Sequence, residues 1–164
     1  MLRIDIIVAK FDIELINESD HEVNSDRLVE TATFAMNELR LHPETELSIA
    51  CVDLGEMERL HIEHMDEPGA TDVLSFPMDD LVAPELGETA EPGLMGDIVL
   101  CPEFAKNQAA EAGNEYEAEL DMLLVHGVLH LLGHDHQEPD EHAVMFGLQN
   151  KLLDSLANHR KETK

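Results

Sequence analysis

The stretch from Leu120 to Leu132 constrains the fold of this chain more than any other segment. Its apolar residues recur at helical spacing and occupy almost every side of the predicted helix: Leu120, Leu123, Leu124, Val128, Leu131 and Leu132. A helix that is apolar nearly all round must be covered by protein on all sides. The sequence therefore predicts one central buried helix, around which the other elements pack.

Two of the few polar side chains on this helix are His126 and His130, which are four residues apart and so lie on one face of it. Gly133 can end the helix by adopting a left-handed conformation, which lets His136 turn back toward the pair. Three neutral imidazoles at tetrahedral angles leave a fourth position open for water, as in a catalytic zinc site. We therefore predict that His126, His130 and His136 bind Zn²⁺.

Histidines that merely pack on a buried helix are the alternative to a metal site. Four histidines fall within the eleven residues from His126 to His136, and burying so many imidazoles without partners is costly. The spacing also fits the long zincin pattern H-E-x-x-H-x-x-G-x-x-H, except that Gly127 replaces the glutamate that acts as general base in peptide hydrolysis. The segment favours a zinc hydrolase and argues against a peptidase.

The rest of the chain alternates strands and helices. Strands are predicted at residues 2–8, 45–52, 73–76 and 97–101, and residues 78–94 are predicted to form an exposed acidic loop. Helices are predicted at residues 26–40, 54–65, 102–113 and 139–157. Asn24 or Ser25 is the predicted cap of the first. A further helix is predicted to follow Asn114, which forms its cap together with Glu117.

This pattern predicts the α/β (α+β) class. We expect a single domain, residues 1–157, in which a small mixed sheet of about four strands packs with about five or six helices, the central one carrying the metal ligands. Residues 158–164 are polar and are expected to be a frayed tail.

Composition excludes several classes of function. The chain carries 10 Lys and Arg against 36 Asp and Glu, a formal net charge of −26, so non-specific binding of nucleic acid through clustered cations is not expected. No apolar stretch is long enough for a transmembrane helix, and the N-terminus lacks a secretory signal pattern. Cys51 and Cys101 are predicted to be reduced, buried thiols. Together these features predict a cytoplasmic protein with no membrane contact.

Several blocks of the sequence together resemble one known family. Residues 126–136 fit H-G-x-L-H-L-x-G-H-D-H, and residues 71–77 read T-D-V-L-S-F-P. Residues 96–98 read G-D-I, and residues 141–146 fit E-x-x-x-M-F. In this order, within about residues 44–150, they resemble the YbeY family of zinc-dependent bacterial endoribonucleases.

The resemblance implies zinc at the three histidines and a single-strand-specific endoribonuclease that matures the 3′ end of 16S ribosomal RNA and takes part in ribosome quality control. The implied partners are ribosomal RNA, the small ribosomal subunit and ribosomal proteins. Many family members have an arginine, thought to contact RNA phosphate, six residues before the threonine that Thr71 matches; this chain has Met65 there. That departure keeps open a zinc-binding ribosome-assembly factor with little or no nuclease activity, or another zinc hydrolase.

Two acidic residues are candidates for catalytic roles beside a zinc-bound water. Asp72 either accepts a proton or orients an imidazole, or else it stabilises a turn. Asp135, between two histidines, either orients a ligand or caps the turn. Ser75 is expected to pack within its strand, and His134 is expected to be exposed.

Overall fold

The computed structural model describes residues 10–163, so the strand predicted at residues 2–8 lies outside the described part. In chain order the elements are β1 (Asp12–Asn17), α1 (Ser25–Glu38), β2 (Glu46–Cys51), α2 (Leu54–Met65), β3 (Val73–Pro77), β4 (Leu94–Leu100), α3 (Pro102–Ala112), α4 (Tyr116–Leu131) and α5 (Pro139–Glu162). The strands form one sheet in the order β1-β2-β4-β3. β1, β2 and β4 are parallel, and β3 is antiparallel to β4. The predicted α/β class with a small mixed sheet is confirmed.

Helix α4 is the central helix that its composition predicts. It is buried along most of its length and packs against α1, α3, α5, β3 and β4. Leu124, Val128 and Leu129 are fully buried, and the last turn of the helix remains inside the core with Leu131. The histidines of α4 are therefore held on a backbone that neighbouring elements clamp on several sides.

Neighbouring residues of β4 point to opposite faces of the sheet and join two separate cores. Ile98 belongs to the large core that contains Val128 of α4. Val99 belongs to a smaller core that contains Met57 of α2. Helix α4 thus covers one face of the sheet, and α2 covers part of the other.

A buried carboxylate ties three helices together. Asp121 of α4 is 3% exposed, and its Oδ2 accepts hydrogen bonds from Arg27 of α1 and from Arg160 of α5, each with a shortest distance of 2.8 Å. Its Oδ1 accepts one from the Thr31 hydroxyl at 2.7 Å. A buried charge needs such partners, because an unpaired carboxylate loses its hydration without compensation. The cluster therefore fixes how α1 and α5 pack against α4.

Two strand predictions need correction. Strand β1, Asp12–Asn17, was not predicted, although Ile13 and Leu15 alternate with polar residues and face the core. Strand β4 begins at Leu94, inside the predicted loop and three residues before the predicted start at Asp97. The early start holds because residues 94–96 pair with β2.

Two helix boundaries also differ from prediction. Asn114 does not cap α4: its backbone N–H bonds to Ala109 O at 2.8 Å and closes α3, whose C-terminal Gly113 has a φ of 72°. Helix α4 instead begins after Glu115, which makes no side-chain capping bond. Helix α5 continues to Glu162, beyond the predicted end at residue 157. Arg160 anchors this last turn, so the tail predicted to fray from residue 158 is largely helical.

The predictions about the cap of α1 and about the two cysteines are confirmed. Asn24 caps α1, since its side chain accepts a hydrogen bond from Arg27 N at 3.1 Å. Cys51 and Cys101 are both buried and not bonded to each other. Within residues 10–163, no helix has both the length and the apolar character needed to cross a lipid bilayer.

Candidate metal centre

The three predicted histidines meet at the C-terminal end of α4. His126 and His130 lie one turn apart on the helix, and their Nε2 atoms are 3.1 Å apart. His136 follows the helix, and each of the three residues offers a ring nitrogen within 4.8 Å of the others. His126 and His130 are half-buried, whereas His136 is exposed. The site is therefore reached from solvent on the side of His136.

A glycine turn brings His136 back to the helix. Gly133 has a φ of 93°, in the left-handed region that favours glycine. The N–H of Gly133 donates to His130 O at 3.0 Å, and that of His134 donates to Leu129 O at 3.1 Å. These two bonds form a Schellman motif, which ends the helix and reverses the chain. The predicted role of Gly133 is confirmed.

A buried glutamine fixes the orientation of the first histidine. Gln149 of α5 is 3% exposed, and its Oε1 lies 2.8 Å from His126 Nδ1. An amide oxygen can only accept, so Nδ1 carries the hydrogen and the lone pair of neutral His126 is on Nε2. Nε2 is the atom that faces His130. Gln149 was not predicted, although its position carries a signal: it is a polar residue in the buried stripe of α5 that contains Met145, Leu152 and Leu156.

Burial keeps the helical histidines in the form that binds metals. Desolvation lowers the pKa of His130 to about 4, with further lowering by the nearby His126 and His136. Desolvation also lowers the pKa of His126, against an opposing effect of the Gln149 hydrogen bond. Both imidazoles are therefore neutral at pH 7, and a neutral imidazole is the ligand form.

The spacing of these nitrogens fits a small tetrahedral cation. Zinc–nitrogen bonds of about 2.0–2.1 Å at tetrahedral angles place ligand nitrogens about 3.3 Å apart. The 3.1 Å between the Nε2 atoms of His126 and His130 is close to this value. His136 is within 4.8 Å and, being exposed, has room to adjust. A purely nitrogen donor set is one that zinc, copper, nickel and iron favour over magnesium or calcium.

Gly127 departs from the zincin pattern for a reason of packing. A Cβ at this position would lie 3.1 Å from both Cδ1 and Cγ2 of Ile98 on β4. Its carbonyl also accepts a hydrogen bond from the Ser75 hydroxyl of β3 at 3.3 Å, so Ser75 does more than the packing expected of it. A side chain here would press on Ile98, so glycine allows the close approach of α4 to the sheet.

Both candidate acidic residues have turn contacts. Asp72 Oδ1 accepts from Val73 N at 2.8 Å, at the start of β3. Asp135 Oδ1 accepts from His136 N at 2.7 Å. Both line the cleft, and the charge of Asp72 favours protonation of His126. His134, expected to be exposed, is half-buried, and its backbone N–H bonds to Leu129 O at the helix end.

The histidines open into a cleft of about 590 Å³ between α4, β3, α2 and the start of α5. Apolar side chains contribute much of its wall: Met65, Val73, Leu74, Pro77 and Phe146. His61 of α2 was not predicted here; its Nδ1 lies 2.9 Å from Gly69 O. No lysine or arginine is among the described residues that line the cleft. Any cation at the histidines would be the main local positive charge.

Comparison with known proteins identifies the family. The sequence profile of the family described as Endoribonuclease YbeY matches residues 13–157. The chain belongs to the YbeY endoribonuclease family. The Endoribonuclease YbeY of Thermobifida fusca (strain YX) is 51% identical over 141 residues, or 86% of this chain and 91% of the relative. That of Streptomyces coelicolor is 54% identical over 145 residues, or 87% and 88%.

A solved structure has a similar fold. The solution structure of TM1509 from Thermotoga maritima is similar with a TM-score of 0.60 at 25% identity, covering 94% of this chain and 93% of that chain. The resemblance drawn from the sequence blocks is therefore confirmed, as is the assignment to nuclease hydrolases. Among the described residues of this YbeY family chain, the cluster of His126, His130 and His136 is the candidate metal-binding site.

Proposed function

We propose that this protein is a zinc-dependent endoribonuclease that cleaves single-stranded RNA at the cleft beside His126, His130 and His136. The observation that carries the proposal is the convergence of three ligand nitrogens in an open cleft of a chain that belongs to an endoribonuclease family. The substrate we propose is 16S ribosomal RNA at its 3′ end, within ribosome maturation and quality control in the cytoplasm. Its partners would be the small ribosomal subunit and ribosomal proteins.

Individual residues around the histidines would have different roles in such a site. Zinc, when bound, supplies a Lewis acid for water and for the phosphodiester. Gln149 holds His126 in the tautomer that presents Nε2, and burial keeps His130 neutral. Of the two acidic candidates, we propose Asp72 as the proton acceptor and Asp135 as a residue of the turn. Both carboxylates line the cleft and both accept a backbone N–H. Asp135 is adjacent in the chain to the ligand candidate His136, which favours a positioning role, whereas Asp72 lies on a different segment at the start of β3.

One observation favours a second candidate function. Met65 is 55% exposed, lines the cleft and stands where many relatives are expected to have an arginine. A cleft without cations offers phosphates no ion pair except through the metal. A ribosome-assembly factor with bound zinc and little nuclease activity is therefore the alternative. The peptidase alternative is disfavoured, since the space beside Gly127 is filled by Ile98.

Alanine substitution of His130 tests the metal site, with His134→Ala as the matched control in the same turn. We expect His130→Ala to lose bound zinc, measured by mass spectrometry of metals, and to lose cleavage of a single-stranded RNA. His134→Ala should keep both. Full zinc occupancy in His130→Ala would refute the ligand assignment, and a zinc-loaded wild type that cuts no RNA would favour the assembly factor.

A further inference from the structure

Two aromatic side chains stack at the rim of the cleft. His142 and Phe146 are one turn apart on α5, with ring centroids 4.3 Å apart and ring planes 24° apart. The Phe146 ring also contacts His126 and His136, at centroid distances of 5.7 and 6.0 Å. Phe146 is half-buried, whereas His142 is exposed. The stack thus begins beside the metal-binding cluster and ends in an exposed ring.

The charges around the cleft allow few ion pairs between side chains and RNA phosphates. Arg59 of α2, the helix that contributes Met65 to the cleft, bonds Glu56 and Glu63 at 2.7 and 2.6 Å. Arg27 and Arg160 are tied to Asp121. Since no lysine or arginine is among the described residues that line the cleft, and the net charge is −26, side-chain cations of this chain supply little of the affinity for a polyanion.

Stacking is a source of affinity that needs no cation and suits single-stranded RNA. Every base has a flat face, and single-strand binding sites combine such stacking platforms with backbone contacts. A base within a duplex has both faces covered, so only an unpaired base can extend an aromatic stack. The exposed ring of His142, already supported from below by Phe146, is suited to take one.

We propose that His142 and Phe146 form a base-stacking platform, on which an unpaired nucleobase next to the scissile phosphate lies against the His142 ring. This inference rests on the proposed endoribonuclease function and deepens it, by naming residues that select single-stranded RNA. His142 acts here through its flat ring and not through proton transfer or metal binding. Phenylalanine at this position is therefore expected to replace it.

The chain contains no tryptophan, which allows a direct optical test. His142→Trp introduces a single tryptophan at the platform, and Val144→Trp introduces one at an exposed position on another side of α5. In zinc-loaded protein, we expect single-stranded oligoadenylate to quench His142→Trp and leave Val144→Trp unchanged. An abasic oligomer of the same length should quench neither. Equal quenching of the two variants, or quenching by the abasic oligomer, would overturn the platform.

Binding and kinetics of two further variants complete the test. We expect His142→Ala to weaken oligoadenylate binding roughly tenfold, since one base–aromatic stack is lost, and to raise KM with little change in kcat. His142→Phe should restore wild-type binding, and both variants should keep their zinc. Unchanged affinity in His142→Ala, or equal weakness in His142→Phe, would overturn the inference. A wild type that binds RNA through this platform but never cleaves it would leave the inference standing and refute only the nuclease assignment.

Discussion

Replacing Gln149 by methionine tests how a residue that contacts a candidate metal ligand controls metal binding. The substitution keeps the length of a side chain that is 3% exposed, but removes the acceptor 2.8 Å from His126 Nδ1. The freed N–H then lacks a partner in a half-buried place, and the imidazole loses the bond that sets its tautomer and ring angle. Partners of this kind contribute about 10- to 100-fold to metal affinity, or about 1.4–2.7 kcal/mol.

The effect on folding should be smaller than the effect on metal binding. Leaving the N–H unsatisfied costs about 1–3 kcal/mol, and burial of the methionine side chain offsets part of that cost. We therefore expect the zinc-free protein to lose about 1 kcal/mol of unfolding free energy. Asn150→Met, at the exposed neighbouring position, should change neither quantity.

Competition with a chromophoric chelator measures the zinc affinity, and nitrogen NMR of the imidazoles in zinc-free protein reports the tautomer of His126. The expected result is weaker zinc binding together with a new population that carries hydrogen on Nε2. Zinc affinity within twofold of wild type, with the Nδ1–H tautomer retained, would show that ring orientation is set by packing alone and that the reasoning about Gln149 is wrong.

Three further predictions concern stability. Gly127→Ala should lower the unfolding free energy by about 1–2 kcal/mol, because the added methyl group overpacks against β4. Gly147→Ala, with open space around it, should raise the unfolding free energy by up to about 1 kcal/mol, because alanine favours the helix. Urea unfolding of both variants separates the effect of packing from that of helix propensity. Asp121→Asn should lower the unfolding free energy by about 3 kcal/mol, because two partly buried arginines lose their shared counter-charge. Glu117→Gln, at an exposed position, should lower it by less than about 1 kcal/mol in the same assay. Equal losses would contradict the assigned role of the buried cluster. Since burial holds the pKa of His130 at about 4, below its ordinary 6.5, the unfolded chain takes up a proton between these values and the folded chain does not. Zinc-free protein should therefore lose stability as pH falls from 6.5 to 4, and His130→Gln should lose less; identical pH profiles would contradict the depressed pKa.

The three histidines were predictable because their relation is local. His126 and His130 are fixed by the period of one helix, and Gly133 reverses the chain within three residues, so spacing alone brings His136 back. The same holds for the central position of α4, which follows from its apolar surface. In each case the local sequence is enough to predict the feature, because the feature does not depend on tertiary packing.

The features that were missed depend on contacts between distant segments. Gln149 lies 23 residues from His126, and nothing in either helix says which residues of α5 will face α4. The start of β4 at Leu94 depends on pairing with β2, and the end of α5 depends on Arg160 reaching Asp121. Local propensity cannot set boundaries that partners elsewhere in the chain stabilise.

The position of α5 after α4 in the chain bears on when the histidine cluster can be completed during synthesis. Elements emerge from the ribosome in order, and the histidines of α4 are made before the 24-residue helix that carries Gln149 and Phe146. Until α5 has emerged, one flank of α4 is uncovered and His126 lacks the partner that sets its tautomer. A nascent chain that stalls before α5 would therefore have the three histidines without the contact that orients His126, and it would expose apolar surface of its central helix. Completion of the histidine cluster therefore waits for a helix that is synthesised after the histidines themselves.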